Sequence, residues 1–207
     1  MIGQLRETLT RIADLGGPVV LILIAVSVLT STVVLYKLWQ FARARVGHHQ
    51  ALGAALDAWD RGDVAAAKTH LSQSRSYLRD VLSLAMNGQE DGARLEAEAE
   101  TRFARLESGF RLLDSVAQMA PLLGLFGTVL GMISAFQSLQ EAGAQVDPSI
   151  LAGGIWVALL TTAVGLAVAM PTSLILSWFE ARMERERVFA ERAVHTVLSP
   201  AGASANA

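Results

Sequence analysis

Three blocks of this sequence contain no charged residue, and each is long enough to cross a lipid bilayer. They run from Pro18 to Tyr36, from Ser115 to Gln140 and from Pro148 to Phe179. A helix rising about 1.5 Å per residue needs about 20 residues to cross roughly 30 Å of hydrocarbon. Lipid offers no partner to a backbone N–H or C=O, so single segments that cross it fold as helices. The sequence therefore predicts an all-α membrane protein with three transmembrane helices, the second and third extended into a cytoplasmic helical domain. The second and third blocks exceed the minimum span and are expected to tilt or to project beyond the bilayer. No fourth candidate block exists.

Basic residues set the expected orientation. Lys37, Arg43 and Arg45 follow the first block, Arg111 precedes the second, and Arg182, Arg185, Arg187 and Arg192 follow the third. The connection from Glu141 to Asp147 has none. The N-terminus and that connection are expected to face outward, the middle segment and the C-terminus the cytoplasm; Arg6 and Arg11 oppose this and are outnumbered. An alternative, that the first block is a signal peptide, fits poorly with the acidic Glu7 and Asp14 before it and with the lack of a small-residue cleavage site.

The expected organisation is an N-terminal amphipathic interfacial helix over 1–16 on the outer side, a first span over 17–37 and a cytoplasmic helical domain over 38–112. A second span over 113–140, a short outer loop over 141–148 and a third span over 149–179 come next. A cytoplasmic C-terminal helix and disordered tail complete the chain over 180–207. Ile2, Leu5, Leu9 and Ile12 share one face of the first segment, which suits a helix in the membrane interface or one packed on protein equally. Gly16, Gly17 and Pro18 mark the start of the first span. In the middle segment Leu52, Leu56 and Trp59 recur at helical spacing, Gly62 interrupts, and Asp63 is placed to cap a helix from Val64 to Leu71. Tyr77, Leu78, Val81, Leu82 and Ala85 form the next apolar set, closed by Asn87 and Gly88. From about Ala93 the pattern Leu95, Ala99, Phe103, Leu106, Phe110, Leu113 predicts one unbroken helix into the second span.

Along the second span Gly124, Thr128, Gly131 and Ala135 recur at i, i+4, i+7 and i+11, and Ala158, Thr162, Gly165 and Ala169 repeat that spacing in the third. Each set is a stripe of small residues on one helical face. Helices in lipid associate through close backbone approach and hydrogen bonds, and stripes of this kind usually serve packing. Both threonines lie roughly 17 Å inward of the outer ends of their helices, at matching mid-membrane depth. A hydroxyl there can bond its own helix at i−4 or face a polar cavity, and the spacing does not choose between these. Pro121 and Pro171 each remove a backbone donor and favour a kink.

Little points to an enzyme. There is no cysteine, so disulfides, thiolate metal sites and a cysteine nucleophile are excluded. His48, His49, His70 and His195 have no ligand spacing and read as surface residues. The glycines around Gly124 lack the lysine and strand-to-helix context of a phosphate loop. No enzymatic activity, no cofactor, no metal and no nucleic-acid partner is expected.

The run Ala120-Pro121-Leu122-Leu123-Gly124-Leu125-Phe126-Gly127-Thr128-Val129-Leu130-Gly131 resembles the second-span signature of ExbB and TolQ proteins. The run from Gly154 to Leu166, with Thr161-Thr162 at its centre, followed by Ala169-Met170-Pro171, resembles their third-span signature. MotA proteins of the same stator family usually have a fourth span, so the ExbB/TolQ branch fits better. The resemblance implies a proton-conducting subunit of the bacterial inner membrane, forming a pentameric homo-oligomeric ring around an ExbD- or TolR-like single-span partner. A membrane aspartate on that partner carries the proton, Thr128, Thr162 and the adjacent Thr161 belong to its pathway, and a TonB- or TolA-like protein receives the work. Gly124, Gly127, Gly131, Ala135, Ala158, Gly165 and Ala169 are then packing positions whose paired faces enclose the passage, with membrane lipid outside. One departure stands out. Relatives commonly carry a glutamate four residues before the threonine pair, where this sequence has Val157. A non-conducting membrane scaffold of the same architecture is the alternative reading.

Overall fold

The computed structural model describes residues 2–88, 91–142 and 148–201, without the side chains of residues 2–16, 142 and 150. Among the described residues there are seven helices and no strand: α1 (Ile2–Ala44), α2 (Gln50–Asp60), α3 (Val64–Gln73), α4 (Arg79–Met86), α5 (Gly92–Glu107), α6 (Phe110–Ala142) and α7 (Pro148–Leu198). Helices α1, α6 and α7 contain the three uncharged blocks and are long and apolar enough to cross a membrane. The chain is a multi-pass membrane protein. The 51 residues of α7 reach about 75 Å at 1.5 Å per residue, far more than a bilayer core. Only its uncharged part, up to Phe179, suits hydrocarbon.

Gly17 breaks α1. Its φ of 67° and ψ of −175° lie where a side chain would be strained and glycine is not, and Pro18 then opens the spanning part. The backbone of 2–16 is helical; which face it presents lies outside the described residues, as do 143–147 of the outer loop and 202–207 of the tail.

Two compact units divide the chain: Met1–Val34 with Gly109–Ser177, and Leu35–Ser108 with Trp178–Ala207. In the first, Val19 and Leu23 of α1, Ala120 of α6 and Ala169 of α7 form a buried cluster flanked by Val116, Leu123, Val164 and Val168. Val20, Leu113, Ala135, Ala158, Thr161 and Leu176 are buried as well. Most of the apolar stretch of α6 is uncovered within the chain, and Leu122, Leu125, Phe126, Val129 and Phe136 are exposed. Surface this apolar in water would be an interaction site or a liability. In a membrane it is left to lipid or to other protein.

The second unit has an aqueous-type core. Leu52, Ala55 and Leu56 of α2, Ala67 and Leu71 of α3, Val81 and Leu82 of α4, and Leu95, Ala99, Phe103 and Leu106 of α5 are all buried. Each large aliphatic or aromatic side chain removed from water in this way contributes about 1.5–3 kcal/mol. Asp63 accepts from the Ala66 N–H at 2.9 Å as the N-cap of α3; Asp91 likewise accepts from Ala93 at 2.8 Å at the start of α5. Such caps satisfy donors that a first helical turn leaves open. Lys37, which ends the first apolar block, is buried, and its ammonium donates to the Leu106 carbonyl at 2.9 Å and to Gln40 Oε1 at 2.7 Å. It thus closes the last turn of α5 with a cation.

The unbroken helix expected from Ala93 into the second span is not formed. Helix α5 ends at Glu107 and α6 begins at Phe110. Ser108 is extended in ψ at 128° and Gly109 takes φ 92°, a conformation open to glycine and strained for other residues. The apolar pattern runs through this break without a gap, which is why periodicity alone misses it.

Candidate functional site

In the first unit the small residues of α6 and α7 face each other. A Cβ added to Gly124 would stand 2.9 Å from the Thr161 carbonyl oxygen and 3.0 Å from Thr162 Cα; one on Gly165 would stand 2.6 Å from the Ala120 carbonyl oxygen. Gly131 lies against Ala158, with 3.2 Å from its would-be Cβ to Ala158 Cα, and Gly127 against the Thr161 side chain at 2.7 Å. A Cβ on Gly154 would collide with the Ala135 methyl. Here two backbones approach because nothing projects between them. Ala169 packs in the cluster with Val19, Leu23 and Ala120. Gly154 joins the seam although the matched stripes do not include it; it heads the third-span run.

The paired glycine and alanine faces of α6 and α7 meet each other inside a single chain. The prolines Pro121 and Pro171 both lie inside continuous helices.

The three threonines have different surroundings. Thr161 is buried in the seam, and its hydroxyl donates across it to the Gly124 carbonyl at 3.2 Å and within α7 to the Ala158 carbonyl at 2.7 Å. The Thr128 hydroxyl donates to the Leu125 carbonyl at 2.6 Å on its own helix. The Thr162 hydroxyl is buried and has no hydrogen-bond partner among the described residues. A hydroxyl carries one donor and two acceptor sites, and leaving it unpaired away from water costs about 1–3 kcal/mol. Among the described residues the hydrogen-bonding capacity of Thr162 is unused. Val157, one turn before Thr161 on α7, is partly covered.

A second polar centre lies in the other unit. Glu186 of α7 is buried; its Oε2 accepts from Tyr77 Oη at 2.7 Å and lies 2.7 Å from His49 Nε2. The His49 ring stacks on Phe189 at 4.3 Å, and its Nδ1 is 3.4 Å from Ser76 Oγ. Burial alone would raise the Glu186 carboxyl. The hydrogen bonds from His49 and Tyr77, with the charges of His49 and Arg182, outweigh it and hold the group below its usual range. Burial, then the Glu186 hydrogen bond and charge, push the Tyr77 phenol up, keeping it a neutral donor. His49 is therefore no surface residue. Its partners stand 137 and 27 residues away in sequence, beyond the reach of any local pattern. Arg187 bridges Glu100 at 3.1 Å and Glu107 at 2.8 Å, and those hydrogen bonds raise its already high pKa. Among the described residues no three His, Cys, Asp or Glu side chains are grouped to hold a metal ion.

Comparison with known proteins identifies the family. A family model for the MotA/TolQ/ExbB proton channel family matches residues 66–191. An ExbB-like biopolymer transport protein of Synechocystis is 32% identical over 167 residues, which cover 77% of this chain and 66% of that relative. A biopolymer transport protein of the ExbB type from Vibrio cholerae is 34% identical over 56% of this chain and 55% of the relative. The Tol-Pal system protein TolQ of Pseudomonas aeruginosa is 38% identical over 39% of this chain and 34% of the relative. The chain thus spans two thirds or less of the length of these relatives. The matched family is one of channels and transport proteins rather than of enzymes, and the matched residues include both signature runs, with Thr161 and Gly124, and Tyr77 and Glu186 but not His49. The chain belongs to the MotA/TolQ/ExbB proton channel family.

Proposed function

We propose that this chain is a proton-conducting stator subunit of the ExbB/TolQ type, using the proton motive force to energise envelope or biopolymer transport. The observation that carries the proposal is the family match across residues 66–191, which includes both spans bearing the threonines. The Thr162 hydroxyl supports it, being buried and without a hydrogen-bond partner among the described residues. In this reading the subunits assemble as a ring, a pentamer, in the inner membrane, with the N-terminus periplasmic and the C-terminus cytoplasmic. The largely uncovered faces of α6 and α7 meet neighbouring subunits, lipid and the single-span helices of an ExbD- or TolR-like partner. A membrane aspartate of that partner gains and loses protons beside Thr162, with Thr128 and Thr161 in the same pathway. A TonB- or TolA-like protein takes up the work. One charge crossing 100 mV releases about 2.3 kcal/mol, so repeated transfers suffice for a mechanical cycle. The segment limits are those expected from the uncharged blocks, with 17–37, 113–140 and 149–179 in the membrane.

The test is proton flux into liposomes containing the chain and its single-span partner. Flux is expected to vanish when the partner's aspartate is neutralised and to fall in Thr162→Val. Flux indifferent to both changes would defeat the proposal.

Two observations favour a second reading, a non-conducting scaffold of the same architecture. Val157 stands where relatives commonly have a glutamate, and the small-residue seam is closed within one chain. That reading predicts oligomers without partner-dependent flux, and the same liposomes distinguish the two.

A further inference from the structure

Between Asp14 and Asp57 the chain carries no acidic residue, while Lys37, Arg43 and Arg45 are basic. Lys37 is buried in its own unit. Arg43 is exposed, and its guanidinium lies over the Trp39 ring, 5.3 Å from the centroid. Among the described residues no carboxylate pairs with it. Trp39 is 56% exposed and Tyr36 55%, their rings 6.3 Å apart. Tyr36, Trp39 and Arg43 follow one another at helical spacing, so they form one outward face at the end of the apolar block of α1. Exposed tryptophan and tyrosine at the end of a spanning helix settle at headgroup level. A cation held over the indole then stands where lipid phosphates lie.

We infer that the Tyr36–Trp39–Arg43 face of α1 is a binding site for an anionic phospholipid headgroup, in the leaflet at the Arg43 end of the helix. The indole and phenol rest against the glycerol and upper acyl region. The guanidinium, held over the indole, donates to a phosphate oxygen. The excess charge of an anionic lipid has no acidic residue nearby in sequence to repel it, and Arg45 adds a second cation two residues on. A zwitterionic lipid carries its own compensating ammonium and gains less from this pair. The occupant is a lipid rather than free phosphate because the aromatic part of the face has an apolar surface to cover.

The test uses full-length protein in phosphatidylcholine vesicles doped with brominated phosphatidylglycerol or, at equal mole fraction, brominated phosphatidylcholine. Trp156 and Trp178 are replaced by phenylalanine; Trp59 is kept, because its indole N–H donates to the Val197 carbonyl at 3.1 Å, and its signal is subtracted with a Trp39→Phe protein. Trp39 quenching should favour the anionic lipid about fivefold, the ratio for about 1 kcal/mol per basic residue at a membrane surface. In Arg43→Gln the ratio should fall toward parity, and a protein retaining Trp156 in place of Trp39 should show no preference. Inorganic phosphate at matched ionic strength should leave the preference intact. Equal quenching of Trp39 by the two lipids overturns the site. So does an undiminished ratio in Arg43→Gln, the same ratio at Trp156, or abolition by free phosphate.

Discussion

The Thr161 hydroxyl of α7 donates to the Gly124 carbonyl of α6 at 3.2 Å, while the hydroxyl of the next residue, Thr162, has no partner among the described residues. Adjacent residues of one type thus do different work, and substitution should separate them. Thr161→Val removes a donor shared by two carbonyls and should lower stability in detergent by about 0.6–1.7 kcal/mol, the range for hydrogen bonds between membrane helices. Thr161→Ser should restore most of it. Thr162→Val removes a buried hydroxyl that bonds to none of the described residues and should leave the thermal midpoint unchanged or raise it slightly. Equal destabilisation by both valine variants would show that Thr162 also holds the seam.

The seam itself depends on missing side chains. Gly124→Ala and Gly165→Ala place a methyl against backbone atoms, at 2.9 Å from the Thr161 carbonyl oxygen and 2.6 Å from the Ala120 carbonyl oxygen. Backbone cannot swing aside, so each should destabilise by about 1–3 kcal/mol. Gly153→Ala is the internal control. A Cβ there meets nothing within 4 Å, and helix propensity favours alanine by up to about 1 kcal/mol. Thermal unfolding of the three variants in one detergent tests the ordering; Gly153→Ala behaving like Gly165→Ala would contradict it.

The spans were legible because lipid imposes one rule on backbone polar groups, and that rule leaves uncharged blocks visible without any knowledge of contacts. The caps and interruptions at Gly17, Gly62 and Asp63 were legible too, since a positive φ or an open first turn selects particular residue types. The break at Ser108–Gly109 was hidden by apolar periodicity that runs straight through it, although the glycine was in view. The stripes at Gly124 and Gly165 announced close packing without naming the partner, because a face of small residues fits a helix of the same chain as well as one of a neighbour. The tie between His49 and Glu186 was beyond sequence reasoning altogether. It joins residues 137 apart whose only common signal is that both can carry charge.

Gly47 shows how a connection between helices is held. It takes φ 78°, and a Cβ there would overlap the Arg182 guanidinium, which donates to the neighbouring Val46 carbonyl at 3.0 Å. Arginine could move, but only by giving up that bond, and alanine would still meet the backbone strain. Gly47→Ala should therefore cost on the order of 1 kcal/mol or more. Gly88→Ala shares the positive φ, 62°, with open space around it, and should cost less. Comparing the unfolding midpoints of the two variants isolates the Arg182 contribution, and equal loss would remove it.

Glu186 gives the protein an acid sensitivity with a defined sign. Its carboxyl is held below the usual range in the folded state, so the folded state favours the anion. The stabilisation is complete above the pKa of an unperturbed glutamate and is lost as pH falls through the lowered folded value. Protonation leaves the Tyr77 hydroxyl and the His49 ring facing a neutral group inside the unit. Glu186→Gln keeps an acceptor oxygen but has no charge to titrate, so its stability should change less between neutral pH and about pH 3 than that of the unaltered protein. Glu186→Ala leaves Tyr77 Oη and His49 Nε2 unpartnered and should cost about 3–5 kcal/mol at neutral pH, as when one member of a buried pair is removed. Thermal unfolding in detergent across this pH range checks both. The glutamine variant losing stability as steeply as the unaltered chain on acidification would place the acid-sensitive group elsewhere.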